Sequence, residues 1–256
     1  MAHLWITLAL CLTLMSALWL PSLVLRDVSI VDIFWAPVFA IVGGATIWLE
    51  GGAQLSGWIT QTLVTLWALR LGGHILIRRW KSGKEDHRYT AIRRKFGARF
   101  PLLSLPVVFW LQGLLLWVIS WPLQVAVTAI GTTPLLLAGW LMTAAGVLVE
   151  ALADAQLTAF RSQRGNEGRV LDTGLWRFSR HPNYFGDFLI WWGFFLAGIA
   201  AGAPWWTVLA PIVMSALLLH FSGVGLMEDT ITERRPDYRR YIQRTSAFFP
   251  WPPAKD

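Results

Sequence analysis

Seven apolar runs, parted by turns and by two longer polar stretches, lay out this chain. The first covers roughly residues 4–23 and the second 28–49, with the short polar turn Arg26-Asp27 between them. The third, 56–79, carries Arg70 and His74 and ends in Arg78-Arg79. A polar stretch, 80–99, leads to the fourth run, 100–127, which Pro122 interrupts; the fifth spans 133–158. A second polar stretch, 161–180, precedes the sixth run, 184–202, and Gly202-Ala203-Pro204 turns the chain into the seventh, 205–227. Each run approaches or exceeds the ~20 residues a helix needs to cross the hydrocarbon core of a bilayer. The pattern therefore predicts an all-α integral membrane protein with seven transmembrane helices. No basic residue precedes the first run and no small-residue cleavage site follows it, so it reads as a retained span rather than a signal peptide. No repeat or linker divides the chain, and residues 1–256 are expected to form a single membrane domain.

Composition agrees. The 256 residues are 55% hydrophobic and 14% charged, with a mean hydropathy of +0.50, whereas a soluble domain carries about 25% charged residues. The net charge of +7 is concentrated: twenty of the twenty-two Lys and Arg fall in residues 78–99, 161–180 and 234–255. With seven spans these three segments emerge on one side. The positive-inside rule makes that side cytoplasmic and the N-terminus external. Charge of this kind answers topology and membrane lipids, and no nucleic-acid partner is needed to explain it. The lone cysteine, Cys11, excludes an intramolecular disulfide.

Candidate chemistry gathers in Gly174–Asp187, GLWRFSRHPNYFGD, just before the sixth run. Proline in a first helical turn has φ already set and gives up an amide that would lack a partner, so Pro182 starts a helix that places Asn183 and Asp187 on one face. On the fifth helix Glu150, Asp154 and Arg161 share a face. Two acids within a span imply an internal polar cavity, since an ionisable group at mid-span costs about 2.5–3.5 kcal/mol. Arg161, Arg169 and Arg180 flank the entrance as phosphate-binding forks. Tyr184, Tyr89 and His74 are candidate proton donors. Neither GxGxxG nor a P-loop occurs, and the five histidines lack metal-ligand spacing, so no metal site is expected.

At RHPNYFGD the chain resembles the membrane reductase superfamily that includes the steroid 5-alpha-reductases and the sterol C14 and C7 reductases. The resemblance covers residues 145–253 and looks closest to a bacterial branch, judged by DTGLWRFSRHPNYFGD and RRPDYRRYIQRTSAFFPWPP. It implies a cofactor-binding C-terminal half holding NADPH through Asp154, Arg161, Arg169, Asn183 and Asp187; Arg180 and His181, within the same motif, complete the expected cofactor-binding set. Glu150, Tyr184 and His74 would then be the catalytic candidates. It further implies a lipophilic enone or alkene substrate, steroid-, sterol- or isoprenoid-like, entering from the bilayer of a bacterial inner membrane. Two departures stand out. The Gln-Glu pair that steroid reductases place in helix two is missing, where this chain has Asp32. The RHPxYxG element is also shared with isoprenylcysteine carboxyl methyltransferases, which bind S-adenosylmethionine. A membrane methyltransferase and a non-enzymatic lipid-binding protein are therefore the alternatives.

Overall fold

The structure, a computed structural model, describes residues 2–221 and 237–254. These residues form helices and turns, with no strand among them. Four helices are long and apolar enough to cross a membrane: His3–Leu25, Ile30–Leu49, His87–Ile119 and Pro134–Ser162. The chain is thus all-α, with the helices of a multi-pass membrane protein. It divides into two compact units, Met1–Thr133 with Gly198–Thr207, and Pro134–Ala197 with Val208–Asp256.

The first unit opens with α1 (Ala2–Leu25), α2 (Ile30–Leu49) and α3 (Leu55–Ser82). Proline at position 37 of α2 has no N–H to give the Ile33 carbonyl one turn back. α3 approaches at that point through Gly72, where a Cβ would stand 3.0 Å from the Ile33 oxygen. Gln61 of α3 adds a second tie, donating Nε2 to the Ala40 carbonyl at 3.0 Å.

α4 (His87–Phe96) begins inside the stretch expected to be a polar loop. Asp86 caps it, accepting from the Arg88 amide at 3.0 Å. The helix buries Tyr89 while Arg94 and Lys95 stay exposed. An amphipathic turn with a good N-cap is a helix despite its polarity. The chain continues through α5 (Phe100–Ser104) and a π-helical turn, Leu105–Trp110, into α6 (Leu111–Ile119). Ser120 separates α6 from α7 (Trp121–Ala126), and Pro122 sits in the first turn of the latter, where a missing amide is tolerated. Thr7 of α1 donates its hydroxyl to Gln124 Oε1 at 2.9 Å, and Gln124 Nε2 donates to Ser120 Oγ at 2.8 Å. A buried amide is thereby satisfied within the apolar packing.

The second unit is built on α8 (Pro134–Ser162) and α9 (Pro182–Ala200), followed by α10 (Leu209–Ala216), a π-helical turn and α11 (Asp237–Arg244). The last part of the expected seventh run lies outside the described residues. α8 and α9 meet backbone to backbone along Gly139 and Gly146 on one side and Gly186 and Gly193 on the other, each pair seven residues apart. A Cβ at Gly146 would lie 2.5 Å from the Gly186 oxygen, and one at Gly186 would lie 2.6 Å from the Glu150 nitrogen. Small residues are what allow so close an approach.

Candidate functional site

The site of the second unit is assembled from three parts of the chain. A 3-10 turn, Gly174–Arg177, is pinned to α8: the Leu175 amide donates to Gln156 Oε1 at 3.0 Å, and Trp176 Nε1 donates to the Ala153 carbonyl at 3.0 Å. The C-terminal segment then closes over the residues that follow. Tyr241 donates its hydroxyl to the Trp176 carbonyl, Ser179 Oγ donates to the Phe248 carbonyl at 2.7 Å, and the Trp251 amide donates to the Phe178 carbonyl at 2.9 Å. Phe248 and Phe249 pack edge-on against Phe185 and Phe188 of α9. The two motifs far apart in sequence are one structural piece.

Arg180 has an occupation that its charge alone does not reveal. It is 8% exposed, and its guanidinium donates to the carbonyls of Ile242 at 3.0 Å and Thr245 at 2.6 Å. These carbonyls belong to the end of α11, where a helix is rich in unmet acceptors and carries partial negative charge. Arg180 therefore anchors the C-terminal helix, whereas Arg161 and Arg169 are exposed.

Beyond the anchor, Pro182 opens α9 as its ring geometry predicts. Asn183 Nδ2 donates to Asp154 Oδ1 of α8 at 3.1 Å. Asn183 Oδ1 is buried, and among the described residues it accepts no hydrogen bond. Glu150, Asp154 and Asp187 are 4%, 6% and 5% exposed, with the backbone of Glu150 against Gly186. His181 is buried, and its ring stacks on Tyr184 with centroids 5.6 Å apart and planes 2° from parallel. The structure thus brings Glu150, Asp154, Asn183 and Asp187 to the glycine-lined crossing of α8 and α9, with the His181 and Tyr184 rings at the start of α9. His74 lies on α3 in the first unit, half-buried.

The first unit holds a second polar centre. Asp32, in the first turn of α2, accepts from the Tyr89 hydroxyl at 2.6 Å and from Arg88 at 2.9 Å. Gln112 of α6 donates to the Tyr89 oxygen at 3.1 Å. Burial alone would raise the Asp86 carboxyl, but hydrogen bonds and charge from Arg88 outweigh it and hold the group below the ordinary aspartate value. Sequence reasoning had Tyr89 as an isolated donor and Asp32 as the acid of helix two; it missed Arg88 and Gln112. The available signal was the acid itself, since a carboxylate at the start of an apolar run calls for partners. Among the described residues no three His, Cys, Asp or Glu side chains form a metal-binding group.

Comparison with known proteins adds a family but no activity. A family model described as "Protein of unknown function (DUF1295)" matches residues 18–245. The chain is 28% identical over 218 residues to the uncharacterized protein C594.04c of Schizosaccharomyces pombe, a match that covers 75% of this chain and 62% of that protein. No solved structure matches the chain significantly.

Proposed function

We propose that this chain, which belongs to the DUF1295 family, is a membrane-embedded NADPH-dependent reductase of a lipophilic enone or alkene. The observation that carries the reading is the amide of Asn183. A carboxylate accepts but does not donate, so the bond to Asp154 fixes Asn183 with Nδ2 towards α8 and leaves Oδ1 as a buried acceptor that is unmet among the described residues. Such an acceptor fits the carboxamide of a nicotinamide or a ribose hydroxyl, and leaving it unmet has a cost of about 1–3 kcal/mol that a ligand donor would remove.

NADPH, when bound, supplies the hydride. In this reading Asn183 orients the nicotinamide end, Asp154 holds Asn183, and the buried carboxyls of Glu150 and Asp187 complete the polar wall. Arg161 and Arg169, exposed at the end of α8 and beyond it, receive phosphate oxygens bidentately. Arg180, already tied to α11, positions the start of α9 instead. Tyr184, its ring fixed against His181, holds the proton for the substrate carbon. The reading rests on the second unit and gives His74 no role. The resemblance at RHPNYFGD supports the reaction class. For topology we retain seven spans with the N-terminus outside and the basic segments cytoplasmic. α3 is 28 residues long, about 42 Å at 1.5 Å per residue, ample to cross. The relative is a fungal protein, which gives a bacterial inner membrane no support.

The test is thermal melting of the detergent-solubilised protein with NADPH, NADH or S-adenosylmethionine. A ligand confined to the native state stabilises by about 2.7 kcal/mol at a hundred times its Kd. NADPH should raise the melting temperature of the wild type and leave Asn183→Ala unmoved. A shift with S-adenosylmethionine alone would assign the same residues to methyl transfer. No shift with any of the three would leave the lipid-binding alternative.

A further inference from the structure

The first unit carries a cleft that the reductase reading does not use. It encloses about 290 Å³ where the polar end of α3 meets the turn leading to α4, and Ser29, Asp32, Arg78, Lys84, Glu85 and Asp86 are among the residues that line it. Sites for drug-sized ligands begin at about 300 Å³, so this cleft has the capacity of a headgroup rather than of a dinucleotide.

Each of its acids is engaged by an arginine. Asp32 and Asp86 both engage Arg88, at 2.9 and 3.0 Å, and Glu85 engages Arg93 at 2.7 Å. Asp27 nearby pairs with Arg79. Because Arg88 serves both Asp32 and Asp86, five cations (Arg78, Arg79, Lys84, Arg88 and Arg93) face four acids, and one positive charge is in surplus. Among the described residues Arg78 makes no hydrogen bond or ion pair, and Lys84 contributes only its backbone carbonyl, which accepts from Arg79 at 2.8 Å. The cleft therefore presents surplus positive charge and selects an anion.

Its surroundings say which kind. Leu76, Ile77 and Trp80, beside Arg78 on the last turns of α3, are 47%, 57% and 84% exposed. Apolar side chains at such exposure suit acyl chains, and an outward tryptophan marks the depth of the lipid headgroups. An anion at that depth next to exposed apolar surface is a phospholipid phosphate. We infer that this cleft binds the phosphodiester headgroup of an anionic phospholipid, with the phosphate between Arg78 and Lys84. The inference stands apart from the nucleotide reading, since every residue it uses lies in the first unit.

The experiment titrates the purified full-length protein, in an uncharged detergent, with dihexanoyl phosphatidylglycerol, dihexanoyl phosphatidylcholine or inorganic phosphate, reading the melting temperature. Phosphatidylglycerol should stabilise saturably. Replacing both cations, Arg78→Gln with Lys84→Gln, should weaken its binding roughly tenfold to thirtyfold, as expected for two cations near an anionic headgroup. Arg94→Gln with Lys95→Gln removes the same charge from exposed positions on α4 and should bind like wild type. Arg78→Lys, which keeps the charge, should retain saturation and serves as the readout if the double variant does not fold. Equal weakening in both double variants, or equal binding of phosphatidylcholine, would overturn the inference. Absence of saturation by phosphatidylglycerol would do the same. Inorganic phosphate binding as tightly as the lipid would also overturn it and assign the cleft to a soluble phosphate compound.

Discussion

A single amide decides most of the proposed chemistry. Asn183→Asp would set a second carboxylate 3.1 Å from Asp154, and like charges at that range oppose each other's ionisation. NADPH affinity should fall at least about tenfold, the equivalent of 1.4 kcal/mol, measured by titration at pH 7; undiminished affinity would displace Asn183 from the cofactor site. In the first unit, Tyr89→Phe removes the donor that meets a half-buried carboxylate at 2.6 Å. Hydrogen bonds to charged groups contribute about 1.5–3 kcal/mol, and a melt should show a loss of that order. Asp86 gives a pH signature. Its carboxyl lies below the ordinary value when folded, so its contribution is complete above about pH 4 and fades as pH falls through the folded value. The wild type should lose stability more steeply than Asp86→Asn in that acid range. The four-residue spacing of Asn183 and Asp187 was legible in the sequence, because helical periodicity alone implies it. That Asn183 and Asp154 share a site came only through resemblance, which did not give the bond between them, and the contact of Asp32 with Tyr89 was not legible, since 57 residues separate them and no local rule reaches that far.

At the scale of elements, the apolar pattern located the helices but not how near they approach. Glycines 139, 146, 186 and 193 read as unremarkable small residues in apolar runs, yet they let α8 and α9 touch through their backbones and so bring Asn183 within reach of Asp154. Alanine at Gly146 or Gly186 would place a methyl 2.5 or 2.6 Å from backbone atoms of the other helix. Since backbone cannot swing aside, the helices must part, at about 1–3 kcal/mol. The melting temperature should drop for each, and cofactor affinity should drop with it because the two sides of the site move apart. Gly165→Ala, with nothing within 4 Å of the added carbon, should melt like the wild type. The start of α4 was missed for the opposite reason. Its sequence is polar, and only the Asp86 cap and the burial of Tyr89 make it helical.

For the whole molecule, seven spans and the four helices of the inventory place α3 and the N-terminus differently, and the difference is testable. Among the described residues four helices satisfy length and apolarity together. α3 has the length, but Arg70, His74 and its basic last turns lower its hydropathy. α9 is 19 residues long and begins with polar residues. The positive-inside pattern does not decide α3, because the two spans that part the basic segments after α3 and after α8 put those segments on the same side either way; what α3 decides is the side of its own start and of the N-terminus. An arginine within a span is compatible with crossing when it faces the protein interior, and Arg70 is half-buried. Single cysteines introduced into a Cys11→Ser background separate the two arrangements, with Gln54, Ser82, Thr132 and Ser162 as exposed sites. If α3 crosses, Ser82→Cys and Ser162→Cys are labelled by an impermeant reagent from one face, and Gln54→Cys and Thr132→Cys from the other. If α3 does not cross, Gln54→Cys and Ser82→Cys are labelled from the same face. We expect the first pattern, because α3 runs antiparallel along α2, with Gly72 against Ile33 and Gln61 bonded to the Ala40 carbonyl, so a bilayer that α2 crosses is crossed by α3 as well.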